Sequence, residues 1–567
     1  MIRKTGLFLV VLFSITVLSP LSAQNTTGSY NQLAKERYEK RDYDGVISAA
    51  TLSLNVNANG EAYWWRALGY KNKRNYEIAV SDFTQALGYY TNNKSSSGTI
   101  CSLRGDCYFE MKDYSKAADD YERVLFKFDY SDKKRIHWNL AKSLYEIEEY
   151  EDAIENYSKA ISLYTSAVDL SILYQEMADI KSLFIDYSRN EIIGDYSKSI
   201  QKNNQNAKAY YNRALLYFDL RKYDSSLMDF TSAIQLYEAQ GAVKYARELG
   251  ICYGSVASIK HYNGNITEAK TDYLTAIRVD TNNGALYWQF AVFLSNTNRR
   301  DPSATEYFQK ALTYLSSKKD KTNCYLDLYL HERSSLRYNA AIKALDAAIQ
   351  LDPANANYYW DKAYVYSQKK DYASSLLYYD KAIGSGVKDS ANRSRIYKAR
   401  AEVKIKLNDL SGALFDFQKA IELQSGYDNF YALGKFFKQK LKQDELGNGN
   451  LQKSMMLALK TEKDTAINYV YAAAAMGDTK TAERLTRKLL VNASAKKNQF
   501  PNELHNAACI YTMIGNYNKA LEYLDQSLAV GYNDYDHLLN DTDLEPLTTL
   551  PGYKAILEKY KVPQPVY

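Results

Sequence analysis

The chain has 567 residues, which is more than a single compact hydrophobic core accommodates, so several domains or a repeat array are expected. Hydrophobic residues make up 46% of the chain and charged residues 24%, a composition that excludes an intrinsically disordered protein. The net charge of +6, from 72 basic and 66 acidic residues, gives no support to a nucleic acid or another polyanion as the partner.

The first 23 residues have the layout of a secretory signal peptide. Arg3 and Lys4 precede an apolar run from Leu7 to Leu18, and small residues lead up to Ala23. This run is shorter than the roughly 20 residues that a membrane-spanning helix needs, and no later stretch is apolar enough to span a bilayer. We therefore expect cleavage after Ala23 and export to the periplasm, to the outer membrane or out of the cell. An uncleaved anchor is the alternative.

A pattern of small and aromatic residues recurs about every 34 to 38 residues from Tyr30 to about Tyr532. It can be read in CSLRGDCYFEMKDYSKAADDYERVL (101–125) and in YYNRALLYFDLRKYDSSLMDFTSAI (210–234). A small residue is followed by a polar turn, a second small residue, an aromatic residue four positions later and a third small residue. With only 8 prolines and 25 glycines in the chain, this pattern predicts paired helices, each of which buries its apolar side against a neighbour.

These spacings resemble the tetratricopeptide repeat, a helix-turn-helix unit of 34 residues. Its small positions 8, 20 and 27 fall on Ala67, Ala79 and Ala86, its aromatic position 24 falls on Phe83, and the same assignment holds along the chain. The resemblance implies an all-α, right-handed α-solenoid of about twelve repeats with a concave groove. The expected divisions are a signal peptide (1–23), a repeat array (24–428), a degenerate repeat or insertion with a turn at LGNGN (429–465), C-terminal repeats (466–535) and a capping segment (536–567).

The resemblance also assigns a row of aromatic side chains to the concave groove. In this family, positions 5, 9 and 12 of the first helix form one stripe that lines the groove. Four of the five tryptophans fall on position 5, whereas Trp65, at position 6, is expected to turn towards the preceding repeat or the outer side. The partner-binding stripe expected on this basis consists of Trp64, Phe109, Trp138, Tyr145, Tyr211, Phe218, Trp288, Trp360 and Tyr364.

Two interpretations of this stripe remain open from the sequence. The rings could form an aromatic ladder that grips an extended peptide, a partner helix or a glycan by stacking. Alternatively, they could only pack between adjacent first helices, which requires no ligand.

A second regularity joins an arginine at position 7 to an aspartate 16 residues later, at position 23. These two positions lie close together in an antiparallel helix pair, so the sequence predicts ion pairs that fix the register of the two helices more than they add stability. Where position 7 is Leu140, the partner position holds the uncharged Asn156 instead. The four predicted pairs are Arg66 with Asp82, Arg104 with Asp120, Arg213 with Asp229, and Arg400 with Asp416.

The sequence contains no motif that predicts catalysis or cofactor binding. There is no phosphate-binding glycine loop and no Gly-x-Ser-x-Gly, so we expect no enzyme and no cofactor. The five histidines are dispersed and none is assigned a second ligand at metal spacing, so no metal is expected. The five scattered cysteines predict free buried thiols rather than a disulfide framework.

The function that the sequence favours is that of a non-enzymatic, exported scaffold of the cell envelope that binds protein or peptide partners through its groove. A nucleic-acid partner is not expected, nor is a transmembrane segment after signal cleavage, while membrane association through a partner is left open. The alternative is a glycan-binding envelope protein that uses the aromatic ladder.

Overall fold

A computed structural model describes residues 20–128, 130–184, 186–461, 467–494 and 500–566. Residues 1–19, which are most of the predicted signal peptide, lie outside the described residues, and the first helix begins at Pro20. Export and cleavage therefore stay predictions. In the described part of the chain, no helix combines the length and the apolar character that crossing a membrane would require. The same residues contain no strand, and their one strand-like feature is an isolated bridge between Arg337 and Val566.

The chain divides into an N-terminal unit that ends at Cys252 and a C-terminal unit that begins at Tyr253, and the boundary falls within helix α13 (Ala246–Tyr262). The helices before it are α1 (Pro20–Glu39), α2 (Tyr43–Val56), α3 (Gly60–Asn72), α4 (Tyr76–Tyr89), α5 (Lys94–Glu110), α6 (Tyr114–Lys127), α7 (Lys133–Glu146), α8 (Tyr150–Leu163), α9 (Ala167–Lys181), α10 (Arg189–Lys202), α11 (Ala207–Asp219) and α12 (Tyr223–Gly241).

The helices of the C-terminal unit continue the same alternation of first and second helices. They are α14 (Ile266–Val279), α15 (Gly284–Thr297), α16 (Pro302–Tyr314), α17 (Lys318–Ser334), α18 (Tyr338–Leu351), α19 (Ala356–Gln368), α20 (Tyr372–Gly384), α21 (Ser390–Lys406), α22 (Leu410–Leu423), α23 (Tyr427–Gln439), α24 (Asp444–Thr461), α25 (Ile467–Met476), α26 (Thr479–Ser494), α27 (Phe500–Met513), α28 (Tyr517–Ala529), α29 (Tyr535–Asn540), a 3₁₀ helix (Thr542–Leu547) and α30 (Pro551–Lys559).

Small residues allow the two helices of each pair to approach closely, and an aromatic ring fills the space beside them. In the pair α3–α4, Ala67, Ala79, Phe83 and Ala86 are fully buried. In the pair α5–α6, a Cβ atom added at Gly105 would lie 2.9 Å from the ring of Tyr121, so this ring takes the space of the missing side chain. The predicted all-α fold of stacked helix pairs is confirmed.

The turn inside most pairs has one recurring backbone conformation. In the pair α5–α6, Lys112 has a φ of 63°, and the backbone N–H of Asp113 donates to the carbonyl of Tyr108 at 2.9 Å. This left-handed residue with a long return hydrogen bond is a Schellman motif, which satisfies the last carbonyls of the first helix. The Asp113 side chain then accepts a hydrogen bond from the backbone of Lys116 and caps the second helix.

The described residues form fourteen helix pairs, from α1–α2 to α27–α28, compared with the twelve or so repeats that the sequence predicts. The pattern is weak where a pair lacks the usual residues, as in α23–α24, where Leu451 is fully buried. The predicted turn at LGNGN (446–450) is wrong, because these residues are helical within α24. Gly434 and Gly447 face each other across this pair, and a Cβ atom on either would lie 3.0 Å from the carbonyl oxygen of the other. Close backbone packing therefore explains glycines that otherwise disfavour helix.

The last part of the chain, after α28, packs against the final helix pair. Leu544, Leu547, Tyr553 and Val562 share one buried cluster with residues of α27 and α28. The terminal backbone also reaches back within the C-terminal unit, since the N–H of Val566 donates to the carbonyl of Leu336 at 2.9 Å.

Candidate functional site

The position-5 rings of the N-terminal unit are partly buried, and each contacts a tyrosine that lies 26 residues later in its own repeat. The contacts are edge-to-face, with ring centroids 5.8 Å apart for Trp64 and Tyr90 and 5.4 Å apart for Trp138 and Tyr164. Tyr211 makes the same contact with its own tyrosine, Tyr237, at 6.3 Å. These rings therefore help to close each repeat, and only part of each remains exposed.

Two of the tryptophans also donate a hydrogen bond to the first helix of the next repeat. The indole N–H of Trp138 in α7 donates to Glu176 in α9 at 2.6 Å, and that of Trp288 in α15 donates to Asp327 in α17 at 2.8 Å. Burial raises the pKa of Asp327, and the indole hydrogen bond opposes that rise. The buried indole nitrogen of Trp64 has no such acceptor among the described residues. These contacts support packing between adjacent first helices, while the binding role of the exposed ring surfaces stays a prediction.

The position-12 rings of the stripe lie at the turn of their own repeat. Phe109 contacts Tyr114 with ring centroids 5.2 Å apart, and Tyr145 contacts Tyr150 at 5.8 Å. Phe218 makes the equivalent contact with Tyr223 at 5.7 Å. In each case the partner is the first residue of the second helix, so the ring packs the turn, although Tyr145 keeps 39% of its surface exposed.

The other tryptophans and Tyr364 each contact a different part of the structure. Trp65 turns towards the preceding repeat, where its ring lies 5.6 Å from that of Tyr38 in α1. Trp288 lines a cavity of about 380 Å³ in the C-terminal unit, and Trp360 packs against the buried cluster that contains Tyr379. Tyr364 lies beside Arg333, whose guanidinium is 5.4 Å from the centre of its ring.

Each arginine of the four predicted ion pairs contacts its aspartate through two nitrogen atoms. The Nε atom and one terminal nitrogen of Arg104 donate to the two carboxylate oxygens of Asp120 at 2.8 and 2.7 Å. The shortest distances in the other pairs are 2.8 Å for Arg66 and Asp82, 2.7 Å for Arg213 and Asp229, and 2.7 Å for Arg400 and Asp416. Burial lowers the pKa of the Arg400 guanidinium, but the hydrogen bonds and negative charges of Asp416 and Asp380 together outweigh it, and the pKa is raised.

Three of these arginines also donate to the second helix of the preceding repeat. Arg104 donates to Thr84 at 2.9 Å, Arg213 to Ser197 at 2.9 Å, and Arg400 to Asp380 at 2.6 Å. Each of these guanidinium groups therefore ties three helices together, which gives it a structural role in the stack rather than a role at an exposed surface.

Two polar clusters on the first helices of the N-terminal unit were not predicted from the sequence. Asp106 accepts hydrogen bonds from Tyr121 at 2.9 Å and from Arg135, in the next first helix, at 3.0 Å. Asp179 repeats this arrangement with Tyr196 at 2.6 Å and with Lys208 at 2.8 Å. The sequence does carry a signal, because each aspartate follows the small residue at position 8 and a basic residue occurs 29 positions later.

We call the surface formed by Trp64, Asp106, Trp138, Tyr145, Asp179 and Tyr211 the N-terminal first-helix face. It combines partly exposed aromatic rings with carboxylate and basic groups from successive repeats. Tryptophan and tyrosine are enriched at surfaces that bind a protein partner.

In the C-terminal unit, the chain places a segment of its own against the first helices. We call residues 534–547, which contain α29 and the 3₁₀ helix, the closing segment. The hydroxyl of Tyr338 donates to Asp536 at 2.9 Å, and Lys435 in α23 pairs with Asp543 at 2.5 Å. The Arg300 guanidinium lies 4.3 Å from the centre of the Tyr535 ring. The segment carries acidic residues, and the first helices α17 and α23 contribute the basic residues Arg333 and Lys435 to it, whereas Arg300 lies in the turn before α16 and Tyr338 begins the second helix α18.

The closing segment also borders a cavity of about 610 Å³ that is lined by α21, α23, α25 and α27. Lys398, Lys406 and Lys435 are basic groups of this lining, and Asp543 and Glu545 are its acidic groups from the closing segment. Asp536, only 5% exposed, has its pKa raised by burial, while Tyr338 and Arg333 oppose that rise. The first helices of this unit therefore hold an acidic segment of the chain itself.

The expectation that no histidine has a second ligand at metal spacing is wrong for His505. Cys509 lies one helical turn further along α27, and Asp541 is brought to the same point by the closing segment, with the three ligand atoms within 4.8 Å of one another. The sequence signal was the four-residue spacing, which places two side chains on one face of a helix. The expected free, buried state of all five cysteines is confirmed.

Comparisons with known proteins agree with the helix pairs. Sequence models of the tetratricopeptide repeat match residues 66–132, 102–168, 207–240 and 327–391. A TPR repeat-containing protein of Methanocaldococcus jannaschii is 23% identical over an alignment of 407 residues, and the match covers 64% of this chain and 69% of that protein. A DNA polymerase interacting tetratricopeptide repeat-containing protein of Drosophila melanogaster is 27% identical over 118 residues, 20% of this chain and 27% of that protein.

Similar chains also occur among solved structures. Yeast Tom70 shares 15% identity, and the match covers 93% of this chain and 99% of that one with a TM-score of 0.30. The APC/C hetero-tetramer Cut9–Hcn1 shares 13% identity, and that match covers 96% and 99% of the two chains with a TM-score of 0.33.

Proposed function

The chain belongs to the tetratricopeptide repeat family, and from this premise we propose that it is an exported scaffold that binds a protein partner along its N-terminal first-helix face. Proteins of this family generally mediate protein–protein interactions. The signal-peptide layout of residues 1–23 supports a location in the cell envelope, either in the periplasm or at the outer membrane. The proposed action is the presentation of a rigid surface and includes no catalytic step.

The observation that carries this proposal is the repeated combination of partly exposed rings and charged clusters on successive first helices. Trp64, Trp138 and Tyr211 occupy equivalent places, and packing against their own repeats holds the rings in fixed orientations. Rings that are ordered before binding lose little conformational entropy when a partner covers them, which favours affinity. The clusters around Asp106 and Asp179 would orient the partner through charge.

A protein partner fits these contacts better than a glycan does. Recognition of a sugar by a tryptophan commonly combines stacking with hydrogen bonds, but on this face the indole N–H of Trp138 already donates to Glu176 and the indole nitrogen of Trp64 is buried. The polar groups around Asp106 likewise satisfy one another.

A double variant, Trp64→Leu with Trp138→Leu, is expected to reduce partner recovery from envelope extracts at least about 10-fold, because central aromatic side chains dominate binding energy. Leucine keeps an apolar side chain between the helices but removes the aromatic surface. Recovery would be measured by affinity purification of the full chain followed by mass spectrometry, with circular dichroism to verify folding.

The control removes exposed apolar side chains from second helices, outside the proposed face. Phe126 in α6 and Met228 in α12 are 80% and 72% exposed, and alanine at both should leave recovery unchanged. If the tryptophan variant folds and recovers the same partners in the same amounts, the rings serve packing alone and the proposed face is wrong.

A further inference from the structure

We propose that His505, Cys509, His537 and Asp541 form a zinc-binding site that fastens the closing segment to α27. This inference concerns the C-terminal unit and does not depend on the proposed partner-binding function. His505 and Cys509 lie one turn apart on α27, and His537 and Asp541 have the same four-residue spacing at the closing segment. Two such pairs can enclose a metal ion from two sides.

The distances between the ligand atoms fit a tetrahedral site. Nε2 of His505 lies 3.1 Å from Oδ2 of Asp541, and Sγ of Cys509 lies 3.2 Å from the same oxygen and 3.7 Å from Nε2 of His505. Zinc–ligand bonds of about 2.0 to 2.3 Å at tetrahedral angles place neighbouring ligand atoms about 3.3 to 3.6 Å apart. Binding by these three ligands would therefore require shifts of only a few tenths of an ångström.

His537 would supply the fourth ligand after a movement of its ring, because it lies outside the group of three residues whose ligand atoms are all within 4.8 Å of one another. Its Nε2 atom lies 3.5 Å from Oδ2 of Asp541, and its ring centroid lies 5.3 Å from that of His505. His537 is 56% exposed on its side chain, whereas His505 and Cys509 are almost fully buried. The protein would thus enclose the metal ion on the side of His505 and Cys509, and the ion could enter from solvent on the side of His537.

The chemistry of the four side chains favours zinc over harder cations. A thiolate and two imidazoles suit zinc, whereas calcium and magnesium take oxygen ligands almost exclusively.

The geometry does not suit a nucleophilic cysteine. In a Cys-His-Asp relay, the carboxylate holds one imidazole nitrogen and the thiol faces the other. Here both Asp541 and Cys509 face Nε2 of His505, and Nδ1 is buried without a hydrogen-bond partner among the described residues. The three groups converge on one point, as metal ligands do, and Cys509 has no exposed surface for a substrate.

Cobalt substitution tests the site in the full chain. After dialysis against a chelator, Co²⁺ is expected to bind with one ion per chain and to give the charge-transfer absorption of a cobalt–thiolate bond with the strong visible bands of tetrahedral cobalt. Zn²⁺ should displace it and abolish the absorption. Cys509→Ser should lose the charge-transfer band, while Cys324→Ser, which removes another buried thiol, should keep it.

His537→Ala provides a variant whose folding should be unaffected, because the side chain is largely exposed. It is expected to weaken Zn²⁺ binding at least about 10-fold in competition with a chromophoric chelator, with an unchanged circular dichroism spectrum. The proposal is overturned if the full chain binds no stoichiometric Zn²⁺, or if Cys509→Ser and His537→Ala bind it as tightly as the unmodified chain.

Discussion

Replacing Asp416 with alanine is expected to lower the free energy of unfolding of the C-terminal unit by about 3 to 5 kcal/mol. The Asp416 carboxylate is fully buried and accepts hydrogen bonds from Arg400 at 2.7 and 2.8 Å. The Lys404 ammonium lies 2.9 Å from the same carboxylate. Alanine would leave two largely buried cations without their shared counter-charge, and this loss accounts for most of the expected effect. Denaturant unfolding followed by circular dichroism measures the change as a shift of the midpoint.

Asp380→Ala is the matched control, because Asp380 binds the same arginine from an exposed position. Its side chain is 52% exposed, so its removal should cost no more than about 1 kcal/mol. Equal shifts for the two variants, or no shift for Asp416→Ala, would show that the buried pair does not hold the three helices together.

Reversing the charge of Lys435 is expected to detach the closing segment from the first helices of the C-terminal unit. Lys435→Glu places a carboxylate beside Asp543, with both side chains less than one-fifth exposed, so repulsion replaces an attractive pair. We expect amide exchange in residues 542–547 to accelerate at least about 10-fold, which corresponds to about 1.4 kcal/mol or more of lost local stability. Hydrogen-exchange mass spectrometry of the full chain measures this directly.

Reversing the charge of Asp543 as well distinguishes the loss of this ion pair from a general loss of folding. Asp543→Lys alone should accelerate exchange in the same way, and the double variant Lys435→Glu with Asp543→Lys should restore slow exchange. Exchange that stays slow in both single variants would mean that this ion pair does not hold the segment.

The features of the fold that the sequence predicts are those that depend on a single repeat. Ala67, Ala79 and Phe83 reveal the helix pair because a fixed crossing of two helices requires small and large residues at fixed separations. The spacing of Arg400 and Asp416 reveals an ion pair for the same reason, since one turn sets the register of both helices.

The features that the sequence does not reveal depend on contacts between repeats or between distant segments. The acceptor of the Trp138 indole, Glu176, lies 38 residues away in the next repeat, and the contact of Tyr338 with Asp536 spans 198 residues. Local propensity also misled the interpretation of LGNGN, because glycine disfavours an isolated helix but permits the close packing of α24 against α23.

In the candidate site, too, features within one repeat could be predicted from the sequence, whereas contacts between elements could not. The aromatic stripe could be assigned to repeat positions, but its packing against Tyr90 and Tyr164 required the coordinates. The clusters around Asp106 and Asp179 and the metal-ligand set around His505 join residues from two or more elements. The spacing of these residues in the sequence does not show that they meet, because the packing of neighbouring helices and segments brings them together.

Site-specific photocrosslinking tests the central claim, partner binding along the N-terminal first-helix face, most directly. A photoreactive phenylalanine analogue would replace Tyr145 or Tyr211 on this face, or Phe126 on a second helix as the control, in the full chain in its native cells. The account predicts a covalent adduct to a protein partner at Tyr145 and Tyr211 and none at Phe126. Adducts at Phe126 alone, or at none of the three positions, would contradict it.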